Sequence, residues 1–256
     1  MPSASPQLDS RLVKRLALES GFDACGIAPA DALTDAEYPL HEWLRRGWHG
    51  GLSYMERNVD KRMDPRLLLP GARSVICCVS AYPPPASSGG VAAYARTREY
   101  HEVVKNMLHA LKQRLGIDGK VCCDTVPISD KHWAARAGLG WIGRHTLLVT
   151  PQWGSWVNLG EIVTTEECDV YDSPIDNGCI DCGLCVEACP NHAIGDNMID
   201  VRRCTAYYTT HHPQPLPEGM DAHGYTLGCD ICQLACPCNK VKEDSVDLTE
   251  GQDTAQ

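Results

Sequence analysis

The 256-residue sequence predicts an α+β fold in two parts, an α/β-like domain over 1–165 and a small metal-dependent domain over 166–240. Three observations lead there. Helix-like and strand-like apolar runs alternate through the first part. Ten of the fifteen cysteines follow residue 165, where apolar runs are few. Charge divides the same way: residues 1–160 hold 19 Lys and Arg against 15 Asp and Glu, whereas Glu161 to Asp200 carries ten acids and no Lys or Arg. A balance of that size is an ordinary solvated surface, not by itself a nucleic-acid signature.

The elements follow in order. Asp9 or Ser10 caps a helix carrying Leu12, Val13, Leu16 and Ala17, which stops at Gly21. Leu40, Trp43 and Leu44 predict a short helix before Gly47. The apolar run Ser74 to Ser80 reads as a buried strand, and Pro83, Pro84, Pro85 and Gly89-Gly90 as a loop. Tyr100, Val103, Val104, Met107, Leu108, Leu111 and Leu115 give the longest helix. Lys120 to Cys123 predicts another strand, and Asp130 to Ala137 a helix ending at Gly138. His145 to Thr150 and Ser155 to Thr164 read as a strand pair around Pro151-Gln-Trp-Gly154. The final 241–256 stretch, with five acids against Lys242, is expected to be a disordered acidic tail.

A hydrophobic fraction of 43% excludes a disordered chain. No apolar run approaches the roughly 18 residues of a membrane helix, so no membrane association is expected. The Pro/Ser-rich start lacks the apolar stretch of a signal peptide, which predicts a cytoplasmic protein. In that setting an odd number of cysteines points to metal or redox chemistry rather than disulfides.

The strongest signal is Cys179-x2-Cys182-x2-Cys185-x3-Cys189-Pro190, the bacterial ferredoxin spacing, in which the fourth cysteine ligates the other cluster. Cys229-x2-Cys232-x3-Cys236-Pro237 repeats it without its first member. Exchanging the last cysteines gives one [4Fe–4S] cluster on Cys179, Cys182, Cys185 and Cys236. The other falls on Cys189, Cys204, Cys229 and Cys232, with Cys168 and Cys238 as rivals to Cys204. Structural zinc, the plainer alternative, has no need of two runs ending in Cys-Pro. Cys25, Cys77, Cys78, Cys122 and Cys123 lie on apolar stretches and read as inert buried thiols. Two clusters carry single electrons, so a donor and an acceptor are implied. A long first domain is then either a docking module or the holder of the group the electrons reach.

Asp124-Thr-Val-Pro127, Ala134 to Gly143 (AARAGLGWIG), Gly154 to Glu161 (GSWVNLGE), Tyr94 to His101, Asp64-Pro-Arg66 and Gly228 to Gln233 together resemble the epoxyqueuosine reductase family. The resemblance runs from about Gly21 to Asn239. It implies a reductive-dehalogenase-like cobalamin-binding domain over 1–165 and a ferredoxin-like 2[4Fe–4S] domain beyond it. The implied activity is reduction of epoxyqueuosine to queuosine at the wobble position of tRNA, with base-off cobalamin and two clusters as cofactors. A flavodoxin or ferredoxin is the implied one-electron donor, and a monomer the implied state. Asp124 matches the catalytic proton donor. A carboxylate following Val121-Cys-Cys123 is expected to be partly desolvated and so to keep its proton, the alternative being a turn or capping aspartate before Pro127. Arg57, Asp124, Gly140, Gly143, Thr146, Leu148, Gly160 and Asp230 match positions near the cofactor, with Gly138, Gly140 and Gly143 letting backbone approach a flat ring. GLGWIG follows a helix, not a strand, so it is not a dinucleotide site. His145 reads as an ordinary satisfied histidine.

The chain departs from the family pattern at Arg144-His145, where Lys-Asn is usual, and at Cys236-Pro-Cys-Asn239, where Cys-Pro-Trp-Asn is usual. Typical members also continue into a helical-repeat domain that grips tRNA. Two alternatives therefore stand beside the tRNA reading: a small-molecule substrate with the same cofactors, or a non-catalytic electron carrier.

Overall fold

The computed structural model describes residues 7–35, 37–96, 99–211 and 215–239. The tail expected over 241–256 lies outside them. Asp9 accepts from the N–H groups of Arg11 and Leu12 and starts α1 (Ser10–Glu19), whose Val13 and Ala17 are buried. β1 (Ala24–Pro29) follows, a strand the apolar pattern did not announce. Then come α2 (Leu40–Arg45), α3 (Val59–Met63), β2 (Ser74–Ala81), the two-residue β3 (Gly90–Val91) and α4 (Tyr100–Leu115), closed by Gly116 in the left-handed region. β4 (Gly119–Cys122), α5 (Asp130–Arg136), β5 (Trp141–Ile142), β6 (Leu148–Val149) and β7 (Val157–Thr164) complete the first part.

Four strands form one antiparallel sheet in the order β1-β2-β7-β4. Helices cover both faces, which is why its long strands are buried nearly throughout. On one face Ile27, Ile76, Cys78 and Ile162 meet Val13 and Ala17 of α1 and Val104, Leu108 and Leu111 of α4. On the other, Val75, Cys77, Cys122 and Val163 meet Trp133, Ala134 and Ala137 at α5. Gly26 admits that helix end: a Cβ there would stand 2.1 Å from the Ala137 carbonyl oxygen.

The expected strand pair across Pro151-Gln-Trp-Gly154 does not form. β6 pairs with β5, and only an isolated Thr150–Gly154 bridge closes the turn. The reason is that β7 is an inner strand with both edges taken, by β2 and β4.

The cysteine-rich segment adds α6 (Leu184–Ala188), a hairpin of β8 (Ile194–Gly195) and β9 (Met198–Ile199), β10 (Tyr225–Leu227) and α7 (Ile231–Leu234). β10 pairs in parallel with β3. Further ties fasten the segment to the first part. Trp43 Nε1 donates to the Ile199 carbonyl at 2.6 Å, Ser155 N donates to Asn239 Oδ1 at 2.6 Å, and Ala93 N donates to Asp230 Oδ2 at 2.8 Å.

Candidate functional site

The packing of α6 against α7 folds the two cysteine runs together. Cys179, Cys182, Cys185 and Cys236 rim one cavity of about 380 Å³, part of it open to solvent. Trp141, Gly143, Arg144, His145 and Cys238 share its lining. Arg144 pairs with Asp181, tying the cluster loop to the β5–β6 hairpin. Behind them Cys189, Cys204, Cys229 and Cys232 crowd together. Burial, and then the charges of Cys204, Cys229 and Cys189, push the Cys232 thiol well up. Burial likewise lifts Cys229 to about 11, with Cys204, Asp230 and Cys189 adding to it. Four thiols that oppose one another's ionisation are suited to a cationic centre, which makes thiolates favourable.

Among the described residues no three His, Cys, Asp or Glu side chains converge as donors to a single ion. The first four cysteines line a cavity instead, and the donor set fits a cluster. Of the rivals to Cys204, Cys168 lies far from this group in the core beside α1, its N–H donating to Tyr171 Oη at 3.4 Å. Cys238 sits at the first cavity, its thiol donating to the Gly178 carbonyl at 3.8 Å. Burial lifts Cys122 and Cys123 to about 12, so they are inert thiols.

Asp124 follows the end of β4 in a left-handed turn, φ 56°. Its side chain is 62% exposed and faces His101 Nε2 at 2.9 Å. The expected desolvation is therefore not found at Asp124. It falls instead on Glu161 and Asp130, whose carboxyls lie within hydrogen-bond reach of each other. His101 bridges Asp124 to Glu99, which caps α4 by accepting from the His101 N–H at 3.1 Å. Burial disfavours the charged imidazole, but the hydrogen bonds to Asp124 and Glu99 outweigh it and raise its pKa above the ordinary 6.5. The ring stacks on Tyr100 at 3.9 Å. Tyr54 is 41% exposed and close by, its phenol raised by burial and then by the Asp124 charge. A hydrogen-bonded histidine and aspartate at the surface, with Tyr100 stacked on the ring, form a pair able to move a proton.

The other expected cofactor residues divide. Arg57 is exposed, next to the left-handed Asn58. Thr146 has φ 68°, a strained conformation for a β-branched residue, and its carbonyl accepts from the half-buried Lys131 ammonium. Gly143 borders the cluster cavity. Gly140, Leu148 and Gly160 are buried. A Cβ on Gly140 would meet the Val149 carbonyl oxygen at 2.3 Å, and one on Gly160 would meet Val104 Cγ1 at 2.6 Å, so their bareness serves the hairpin and α4. Likewise a Cβ on Gly138 would stand 2.7 Å from the Ser173 carbonyl oxygen. Leu148 is a core residue, 3% exposed. Asp230 is 1% exposed and holds the Ala93 N–H.

Sequence reasoning missed His101, Glu161 and Asp130. A Glu-x-His at the head of the longest helix was the one available signal for the first. Glu161 sits on the α5 face directly across from Cys77 and Cys122, fully buried, with Asp130 as its side-chain partner. Burial and then the Asp130 charge push its carboxyl well above the carboxylate range.

Residues 62–125 match the family described as epoxyqueuosine reductase QueG, DUF1730, and residues 178–239 match a 4Fe-4S double cluster binding domain. The epoxyqueuosine reductase of Cyclobacterium marinum is 37% identical over 246 residues, covering 90% of this chain and 79% of that protein. A crystal structure of an epoxyqueuosine reductase with an epoxyqueuosine-modified tRNA-Tyr stem loop superposes with a TM-score of 0.82 at 30% identity, over 90% of this chain and 65% of that one. The reductive dehalogenase NpRdhA, at 18% identity, shares the fold with a TM-score of 0.61 over 93% of this chain and 32% of its own.

Proposed function

The chain belongs to the epoxyqueuosine reductase family, and from that premise we propose that it reduces the epoxide of epoxyqueuosine in tRNA to the alkene of queuosine. The observation that carries the reading is the pair of sulfur sets, Cys179, Cys182, Cys185 with Cys236 and Cys189, Cys204, Cys229 with Cys232, assembled by exchange between the two runs. On this reading residues 1–165 form the cobalamin-binding catalytic part and 166–240 the double-cluster part.

Removing the epoxide oxygen as water consumes two electrons and two protons. When bound, the clusters would supply single electrons taken from an external donor such as a flavodoxin or ferredoxin, and cobalamin would supply the reductant for the substrate. The chain's own residues hold these groups and manage the protons. Arg57, Thr146 and the Asp124 turn are the expected residues that remain accessible to a corrin. Asp124 gives a proton to the departing oxygen, and His101, 2.9 Å away with a raised pKa, replaces it. Glu99 orients that histidine through Nδ1, so Nε2 faces the acid.

The test is anaerobic purification with cobalamin supplied, followed by iron, sulfide and cobalt analysis and turnover of an epoxyqueuosine-modified stem loop. The expected yield is about eight irons and one cobalt per chain. Asp124→Asn keeps the cobalt and loses about a hundredfold or more in turnover. Iron without cobalt makes the chain an electron carrier, and zinc alone ends the proposal. If the stem loop is bound through phosphates, its affinity falls steeply with salt.

A further inference from the structure

Three buried N–H groups without an acceptor, Trp141 Nε1, Arg144 Nε and His145 Nε2, belong to residues lining the cavity that Cys179, Cys182, Cys185 and Cys236 rim. An unpaired buried donor costs about 1–3 kcal/mol, so three around one space call for an acceptor there. His145 is the best defined. It is 2% exposed, and the backbone N–H of Leu147 donates to its Nδ1 at 3.2 Å. Nδ1 is thereby the acceptor nitrogen, and the ring proton of the neutral imidazole sits on Nε2. Burial, and then the Lys131 charge, hold the ring neutral, with a pKa down to about 4. Gly143 makes the room: a Cβ there would stand 2.9 Å from His145 Cε1.

We propose that His145 Nε2–H donates a hydrogen bond to a sulfur of the cluster held by Cys179, Cys182, Cys185 and Cys236, and so raises that cluster's reduction potential. The inference rests on the reading that those four cysteines hold a [4Fe–4S] cluster. Reduction adds negative charge that the sulfurs share, so an N–H donor stabilises the reduced form more than the oxidised one. His145 is a positioning and tuning residue on this account, acting on the electron path and not on the substrate.

The experiment is an anaerobic redox titration of the reconstituted enzyme followed by EPR, on the native chain, His145→Leu and His145→Gln, with iron measured first. In His145→Leu the reduction equilibrium of one cluster falls about tenfold, or ~59 mV for one electron, while the other cluster keeps its midpoint. His145→Gln, whose amide N–H reaches the same place, restores most of the shift. Unchanged midpoints in a His145→Leu protein that carries its full iron overturn the inference, as does a His145→Gln shift equal to that of His145→Leu. Should His145→Leu fail to hold iron, native protein with ¹⁵N-labelled histidine decides. Pulsed EPR of the reduced cluster then shows a histidine ¹⁵N coupling, and its absence overturns the inference. A native chain that binds no iron removes the cluster reading itself, which the prior iron assay separates from the outcomes above.

Discussion

Asp124 and His101 share a hydrogen bond at 2.9 Å whose strength depends on which of them holds the proton. The folded pKa of His101 lies above 6.5, so the charged pair is fully formed below pH 6.5 and is lost as pH rises through the raised value. Turnover is expected to fall along an alkaline limb set by this histidine, and His101→Gln to lower turnover about tenfold at neutral pH and abolish that limb. A pH profile of kcat checks it; an identical limb in the variant removes His101 from the proton path. Glu161 titrates in the opposite setting. Its carboxyl is held neutral by burial and by Asp130, so its folded pKa exceeds the ordinary 4.5. Its contribution to stability is complete below that value and declines as pH rises toward the folded pKa, at about 1.4 kcal/mol per pH unit. Glu161→Gln keeps the shape and removes the titration. Urea unfolding at pH 5 and pH 8 is expected to show a smaller loss with pH in the variant than in the native chain.

The elements show which signals survive folding. α1, α4, α5 and β2 match their apolar spacing because each buries one face or its whole length against a neighbour. β6 and β7 read as partners because a turn separates them, yet sheet position sent them apart. The cysteine runs behave the same way. Spacing alone left Cys168, Cys204 and Cys238 as rivals, and only the fold sets Cys204 beside Cys189, Cys229 and Cys232 while burying Cys168 under α1. Cys204→Ser is expected to cost one cluster, leaving about four irons per chain, whereas Cys168→Ser keeps about eight. Iron and sulfide analysis distinguishes them, and equal iron in both variants removes Cys204 from the ligand set.

At the scale of the whole molecule, the sheet has two apolar cores, one on each face, while the cysteine-rich segment has short elements and many polar ties. A segment so poor in apolar contacts draws folding energy from its metal. Removing iron with a chelator is expected to release amide protection over 178–239 while β2 and β7 stay protected, read by hydrogen-exchange mass spectrometry. Global loss of protection would show instead that the clusters hold the entire chain. By itself the sequence determined α1, α2, α4 and α5, the buried strand β2, the Cys-Pro runs and the motifs that place the chain in its family, because each is a pattern among neighbours in the chain. Only the tertiary structure decided that Gly160 makes room for α4, that His101 reaches Asp124, that Glu161 is buried against Asp130, and that His145 lines the cavity rimmed by four cysteines. Burial and hydrogen bonding of those groups depend on residues brought together from distant parts of the chain, and local spacing carries no record of them.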